Sequence, residues 1–383
     1  MFFLCQALMT SVTVGQVAMG ALVGHTLASD KSLATLPMAI QMTATMAASI
    51  PAGFVFGRFG RRPGFWLGCA GSFIGSLVFA AGIWTGSFSL YCLGAVPAGL
   101  GFGIAQHLRF AAAEAAEPAM RPRAIALVMA GGLVAAVLGP ELVKQTKDAA
   151  GPLLFVGTYL AFASLPAICA VILVFADLPR FIQPPTAPVP LSLLVARADF
   201  IVAVLAGLVG YGSMNLVMTS TPVQMILCGY GVDASTDVIR AHAVAMFGPG
   251  FVTGRLIHRF GCQRVIVAGG MLSIACAALS LAGSAELTFM TALVLLGIGW
   301  NFMFTGATAL LSQAHDPSER IRAQALNDFI VFGTVAGTAF ASGLLHDRLG
   351  WIALNGAIVP PILVASGLVM WHRKRRRLLT VAA

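Results

Sequence analysis

The sequence predicts an all-α integral membrane protein, with twelve transmembrane helices in two pseudo-symmetric six-helix bundles. Three observations carry that expectation. The first is composition: of 383 residues, 58% are hydrophobic and only 10% are charged. A soluble domain carries about 25% charged residues, so a soluble enzyme, a disordered chain and a nucleic-acid-binding domain are excluded at the outset. The second is the length of the apolar runs. A spanning helix needs about 20 mostly apolar residues, and backbone groups in lipid must be satisfied internally, which leaves helices or closed barrels. These runs are too long and continuous for barrel strands. The third is an internal repeat at about 200 residues.

In chain order, the first span is 3–27. It has no basic leader and no small-residue cleavage site, so it reads as a span and not a signal peptide. The short loop Ser29-Asp30-Lys31 turns the chain into 33–57, and Arg58, Arg61 and Arg62 end that helix. Spans 64–84 and 89–110 form a hairpin about Thr85 to Ser87; 123–143 and 152–176 complete the first half. Residues 177–198 hold Pro179, Pro184, Pro185, Pro188 and Pro190 and read as a cytoplasmic tether. The second half runs 199–228, with Pro222; 237–257, with Gly248-Pro249-Gly250; 265–284; 287–313 after the tight Ala285-Glu286 turn; 324–345; and 352–371. Proline removes a helix hydrogen bond and permits a kink, whether static or used in gating. The organisation is therefore 1–176 and 199–371 as bundles, with a basic tail at 372–383.

Charge placement orients the chain. Of its 23 Lys and Arg, 18 lie on one set of loops and helix ends, and Lys31, Lys144, Lys147, Arg240 and Arg348 lie on the other. The richer set is expected to be cytoplasmic, which puts both termini on the cytoplasmic side of the membrane. The net charge of +9 is then an orientation device. The tail Arg373 to Arg377 reads as a topology anchor, with anionic lipid head groups as the alternative partner. The seven cysteines have no metal-ligand spacing and read as small packing residues.

The repeat is carried by two segments. Gly53-Phe-Val-Phe-Gly57-Arg58-Phe59-Gly60-Arg61-Arg62 is echoed by Gly254-Arg-Leu-Ile-His258-Arg259-Phe260-Gly261-Cys-Gln-Arg264. Glu117-Pro118-Ala-Met-Arg121-Pro-Arg123-Ala124 aligns without gaps to Asp316-Pro317-Ser-Glu-Arg320-Ile-Arg322-Ala323. Two matches at one offset point to duplication, and repeated bundles with a site at their interface are the signature of secondary transporters.

At these residues the chain resembles the major facilitator superfamily, whose loop after the second span runs Gly-x-x-x-Asp-Arg-x-Gly-Arg-Arg. Gly53, Arg58, Gly60, Arg61 and Arg62 match; Gly57 stands at the acidic position, with His258 as its counterpart, so the acidic lock of the family is not reproduced. Gly139-Pro140 matches part of the fifth-span motif, while Ala95 replaces the fourth-span Arg. Narrower likeness, to a bacterial branch that includes riboflavin importers, is carried by Met214 to Pro222, His242 to Gly254, Gly299 to Thr308 and Asn327-Asp328-Phe329. The resemblance implies a solute carrier working by alternating access.

Polar groups at membrane depth are default functional candidates. Counting along the helices places Gln16, Asn215, Thr219 and Asn301 near the midplane as candidate substrate contacts; plain interhelical hydrogen bonding is the competing role. Trp300 offers a face to a flat aromatic substrate, against ordinary packing. Asp328, Glu141 and His242 are the candidate proton carriers, since burial raises a carboxyl pKa and lowers that of His; a terminal charge pair for Asp328 and an interfacial position for Glu141 compete. Arg58, Arg61, Arg62, Arg259, Arg264, Arg121 and Arg320 are the candidate cytoplasmic gate, against simple positive-inside anchoring. No phosphate-binding Gly-Lys-Ser/Thr loop and no catalytic constellation occurs, so neither an enzyme nor ATP-driven transport is expected. The glycine runs Gly99 to Gly103 and Gly297 to Gly299 serve helix packing. The expected partners are a small-molecule substrate and the bilayer, with no nucleic acid, no cofactor and no metal, in a monomer. Riboflavin uptake leads; a proton-coupled exporter of drugs or metabolites and a transporter-like sensor are the rivals.

Overall fold

The computed structural model describes residues 1–117, 124, 127–176, 178, 195–311, 313–314 and 320–382. The described chain is helical throughout: α1 Phe2–Leu27, α2 Leu36–Phe59, α3 Arg61–Trp84, α4 Phe88–Ala105, α5 Leu108–Ala115, α6 Gly131–Thr146, α7 Val156–Val174, α8 Ala198–Leu227, α9 Val232–Phe247, α10 Gly250–Phe260, α11 Cys262–Ala282, α12 Glu286–Leu311, α13 Arg320–Gly356 and α14 Val359–Ala382. Among the described residues, nine helical stretches are long and apolar enough to cross a membrane. One of them, Leu326–Arg375, has 50 residues, which at the helical rise is about 75 Å, more than twice a hydrocarbon core. It bends at Gly350, whose φ is 79°.

Several expected spans are subdivided. The fourth breaks at Gln106-His107 into α4 and α5. The eighth starts earlier than read, at Val232, and divides at Gly248-Pro249 into α9 and α10, because Pro249 cannot donate to the ladder. Residues 372–382, read as a tail, continue α14. Much of the 177–198 tether, and Arg121 and Arg123, lie outside the described residues.

Local chemistry sets the ends. The Ser32 backbone and hydroxyl both donate to Asp30 Oδ1, at 3.0 and 2.7 Å, holding that carboxyl below its ordinary range and shaping the turn into α2. Ser87 accepts from Leu90 N at 3.2 Å and starts α4. Gly60 (φ 85°) separates α2 from α3, and Gly261 (φ 86°) separates α10 from α11. Gly151 (φ 71°) and Gly350 (φ 79°) form a second matched pair. Each pair is about 200 residues apart. The sequence repeat is thus a backbone repeat, with glycine at positions where a Cβ would be strained.

Packing repeats as well. In the first half α1 packs on α6, α2 on α4, α3 on α4, and α3 on α7; in the second, α8 packs on α13, α9 on α12, α11 on α12, and α11 on α14. The α3–α4 and α11–α12 contacts are close because of small residues: a Cβ on Gly71 would lie 2.8 Å from Pro97 O, and one on Gly269 2.6 Å from Gly299 O. Across the seam between halves, α2 meets α13, α6 meets α9 and α1 meets α8. Large apolar side chains such as Leu93, Leu160, Val171, Phe251, Leu281 and Val364 are exposed around the outside, a surface suited to lipid and not to water. Trp84 is exposed at the end of α3, as interfacial anchors are.

Candidate functional site

The seam holds the candidates, and the structure sorts them by partner. Asn215, on α8, donates through Nδ2 to Val335 O (3.0 Å) and Thr338 Oγ1 (3.2 Å) on α13, while Thr219 Oγ1 lies 3.5 Å from its Oδ1. Asn301, on α12, donates to Met246 O (2.7 Å) and accepts from Thr253 Oγ1 (2.6 Å). Both amides join helices of the second half, the competing role named from the sequence. Gln16 is buried on α1 and its Oε1 has no hydrogen-bond partner. The Trp300 indole Nε1 is likewise buried and unpartnered.

Trp300 belongs to an aromatic group that sequence reading did not assemble. Its ring stacks on Phe304 (centroids 5.3 Å, 9°), Tyr211 stands edge-on to both (5.3 Å each, 73° and 75°), and Phe332 and Phe247 lie at 6.1 and 6.2 Å from Tyr211 and Trp300. Tyr211 and Phe304 also pack on a seam cluster containing Met38 and Met42 of α2 and Val331 and Val335 of α13, and Val17 of α1 packs there too. Tyr211 sits one helical turn before Asn215; a hydroxyl at that depth was the signal that could have found it.

The ionisable candidates all have neighbours. Asp328 on α13 faces Arg109 on α5 across the seam, at 3.8 Å, and accepts from Asn327 Nδ2 at 3.1 Å. Glu141 on α6 pairs with Arg240 on α9 at 3.1 Å. His242 is buried between α9 and α12, with Nδ1 2.7 Å from Leu293 O and Nε2 unpartnered. At the same end as Glu141, Lys144 pairs with Asp237 (3.0 Å), Lys147 with Asp233 (2.8 Å), and Arg240 also with Asp237. These charges clasp α6 to α9, a pairing that sequence spacing does not reveal. The Gly343 N–H adds a bond to Thr35 Oγ1 (3.0 Å), joining α13 to the turn before α2. Beside it is a cavity of about 270 Å³ lined from both halves, including His25, Lys31, Ser220 and His346.

The opposite end holds the gate arginines. Arg62 donates to Ala176 O at 2.8 Å, Arg58 and Arg259 lie over Phe59 and Phe260, and buried Arg61 lies over Phe56. Arg264 is exposed at the start of α11. Arg320 begins α13, its side chain outside the described set, and Arg121 lies outside it altogether. Among the described residues no group of three or more His, Cys, Asp or Glu could hold a metal.

Apolar helices wrapped by a lipid-facing surface, two halves built alike, and a polar and aromatic centre on the seam between them define a multi-pass membrane transporter. The chain belongs to the Major Facilitator Superfamily, whose family model matches residues 2–285 and 241–381. It is 39% identical to the riboflavin transporter RfnT of Brucella anthropi, over 93% of this chain and 91% of that protein. It is 27% identical to YddS of Bacillus subtilis (strain 168), an uncharacterised transporter of the same type, over 94% and 87%. Among solved structures it resembles a D-xylose–proton symporter (TM-score 0.75, 14% identity, 96% and 95% covered). It also resembles the inward-open xylose transporter XylE of E. coli (TM-score 0.74, 12% identity, 95% and 94% covered). At such identities these two speak for the fold alone.

Proposed function

We propose that this protein carries riboflavin into the bacterial cell across the cytoplasmic membrane. The observation that carries this reading is the 39% identity to a riboflavin transporter over 93% of the chain. Twelve spans form two six-helix bundles, 1–176 and 199–371, joined by the 177–198 tether and followed by basic residues 372–383. The matched packing of the halves supports that division. Both termini face the cytoplasm, supported by the 18 of 23 basic residues at the Arg62 end; the Lys144 end is then external.

The bundles rock about the seam and expose the substrate to each side in turn. Trp300, Gln16, Asn215, Asn301 and Thr219 line or brace the central site. The arginines at 58, 61, 62, 121, 259, 264 and 320 form the cytoplasmic gate, and Asp328, Glu141 and His242 are the groups through which a proton would couple. The test is uptake of radiolabelled riboflavin by cells unable to make it, with and without the gene. Gene-dependent uptake and growth rescue are expected; neither appearing would overturn the reading. Abolition by a protonophore would establish coupling.

A further inference from the structure

We propose that Tyr211, Trp300 and Phe304 form the seat for the flat ring system of the substrate, with Trp300 Nε1 donating a hydrogen bond to a ring carbonyl. The inference rests on the riboflavin reading above and deepens it, by saying where an imide-bearing tricyclic ring would lie.

Three observations meet here. First, the rings form a corner. Trp300 and Phe304 are nearly parallel, at 9°, and Tyr211 stands across both at 73° and 75°. A planar ring laid along either wall meets the other edge-on, and both are favourable aromatic geometries.

Second, the corner holds an unanswered donor. Trp300 is only 8% exposed, yet its Nε1 has no acceptor. A buried donor is costly to leave unsatisfied, whereas the Asn215 and Asn301 amides, on the same helices, donate to backbone carbonyls. A ring carbonyl would satisfy the indole.

Third, the corner lies midway along α8 and α12, on the seam. Its neighbours across the seam are Val17, Met38 and Met42, and Met46 Sδ comes within 3.3 Å of where a Cβ on Gly333 would be. Methionine is unbranched and adaptable. The α2 methionines thus belong to the cluster on which Tyr211 and Phe304 pack, and they can move aside without breaking a hydrogen bond. This position can be exposed to either side in turn, as a carrier's substrate must be.

The test is titration of the full-length protein in nanodiscs with riboflavin, followed by quenching of flavin fluorescence by adjacent electron-rich rings. Lumichrome, the ring system without its sugar-alcohol chain, is the competitor. Expected results are saturable quenching by the wild type, displacement by lumichrome, and about tenfold weaker binding for Tyr211→Leu and Trp300→Leu. Trp300→Phe, which keeps a ring and loses the N–H, should bind about threefold to tenfold more weakly and guards against misfolding of the leucine variant. Trp351→Phe removes another unpartnered indole Nε1 outside the seat and should bind as wild type. Wild-type binding that all three seat variants retain unchanged, in protein with unchanged melting, would overturn the seat alone. Absence of wild-type binding, with absence of uptake, would overturn the function beneath it.

Discussion

The two ends of the seam are built differently. At the Lys144 end, three charge pairs of 2.8 to 3.1 Å tie α6 to α9, and Gly343 bonds directly to Thr35 of the opposite half. At the Arg62 end, three described cations rest on partners in their own half: Arg62 binds Ala176 O, and Arg58 and Arg259 lie over adjacent phenylalanines. The Arg109–Asp328 pair, which does cross the seam there, stands at 3.8 Å with both side chains partly exposed. Complementary charge thus joins the halves at the Lys144 end, whereas Arg62, Arg58 and Arg259 at the other end meet a carbonyl and aromatic rings of their own half. The charge clasp and the Gly343–Thr35 bond hold the halves together at the Lys144 end, and they are what must part for that end to open.

The largest test of this contrast is a wedge. A Cβ at Gly343 would lie 2.5 Å from Thr35 Oγ1 and 2.8 Å from Ser32 O, so Gly343→Val cannot fit the closed seam. Overpacking costs about 1–3 kcal/mol, which shifts the balance of open and closed forms about fivefold to 150-fold. The reporter is Ser220→Cys in a Cys228→Ser background, since Ser220 is buried beside the cavity and Cys228 is exposed. Its labelling by an impermeant maleimide in right-side-out vesicles should rise by that factor. Unchanged labelling would show that the Lys144 end is not the sealed one.

Next is the clasp itself. Arg240 answers both Glu141 and Asp237, so Arg240→Glu removes two attractions and sets a third carboxylate beside them. The Glu141 pair is the one that crosses the seam; an exposed pair contributes about 0.2–1 kcal/mol, and its loss together with a repulsion of similar size should raise the same labelling about twofold to 30-fold, falling back at high salt as screening weakens the new repulsion. A salt-insensitive change would mean that packing and not charge was disturbed.

The all-helical, membrane-spanning character was legible because apolar length dictates spans without tertiary information. The glycine pairs Gly60/Gly261 and Gly151/Gly350 show why the repeat could be read too: duplication preserves backbone needs as well as letters. The clasp was not legible. Lys144 and Asp237 are 93 residues apart, and nothing local distinguishes paired charges from solvated ones. Polar residues at mid-depth were found, but their work was not, since bracing and binding need the same chemistry; only the partners of Asn215 and Asn301 reveal bracing. Tyr211 was passed over because an aromatic in an apolar helix looks the same whether it faces lipid, core or substrate.

That distinction is the third test. If Asn301 braces α12 against α9 and α10, Asn301→Ala should lower stability by about 1 kcal/mol, read as a lower melting temperature in nanodiscs, with riboflavin affinity changed less than twofold. The opposite pattern, intact melting with weakened binding, would move Asn301 from brace to ligand contact and shift the centre of the site toward α10.

The smallest effect should come from the outermost pair of the clasp. Lys147 and Asp233 are 2.8 Å apart, but the carboxylate is 54% exposed. Water and salt screen such a pair, and ordering two mobile side chains offsets most of the attraction. Lys147→Gln should therefore change Ser220→Cys labelling by less than twofold, whereas Lys144→Gln, whose partner Asp237 is 29% exposed and shared with Arg240, should change it more. Equal effects would make the clasp a set of independent surface pairs. A gradient, weak at the rim and stronger toward the seam, is what a network closing from the inside outward produces.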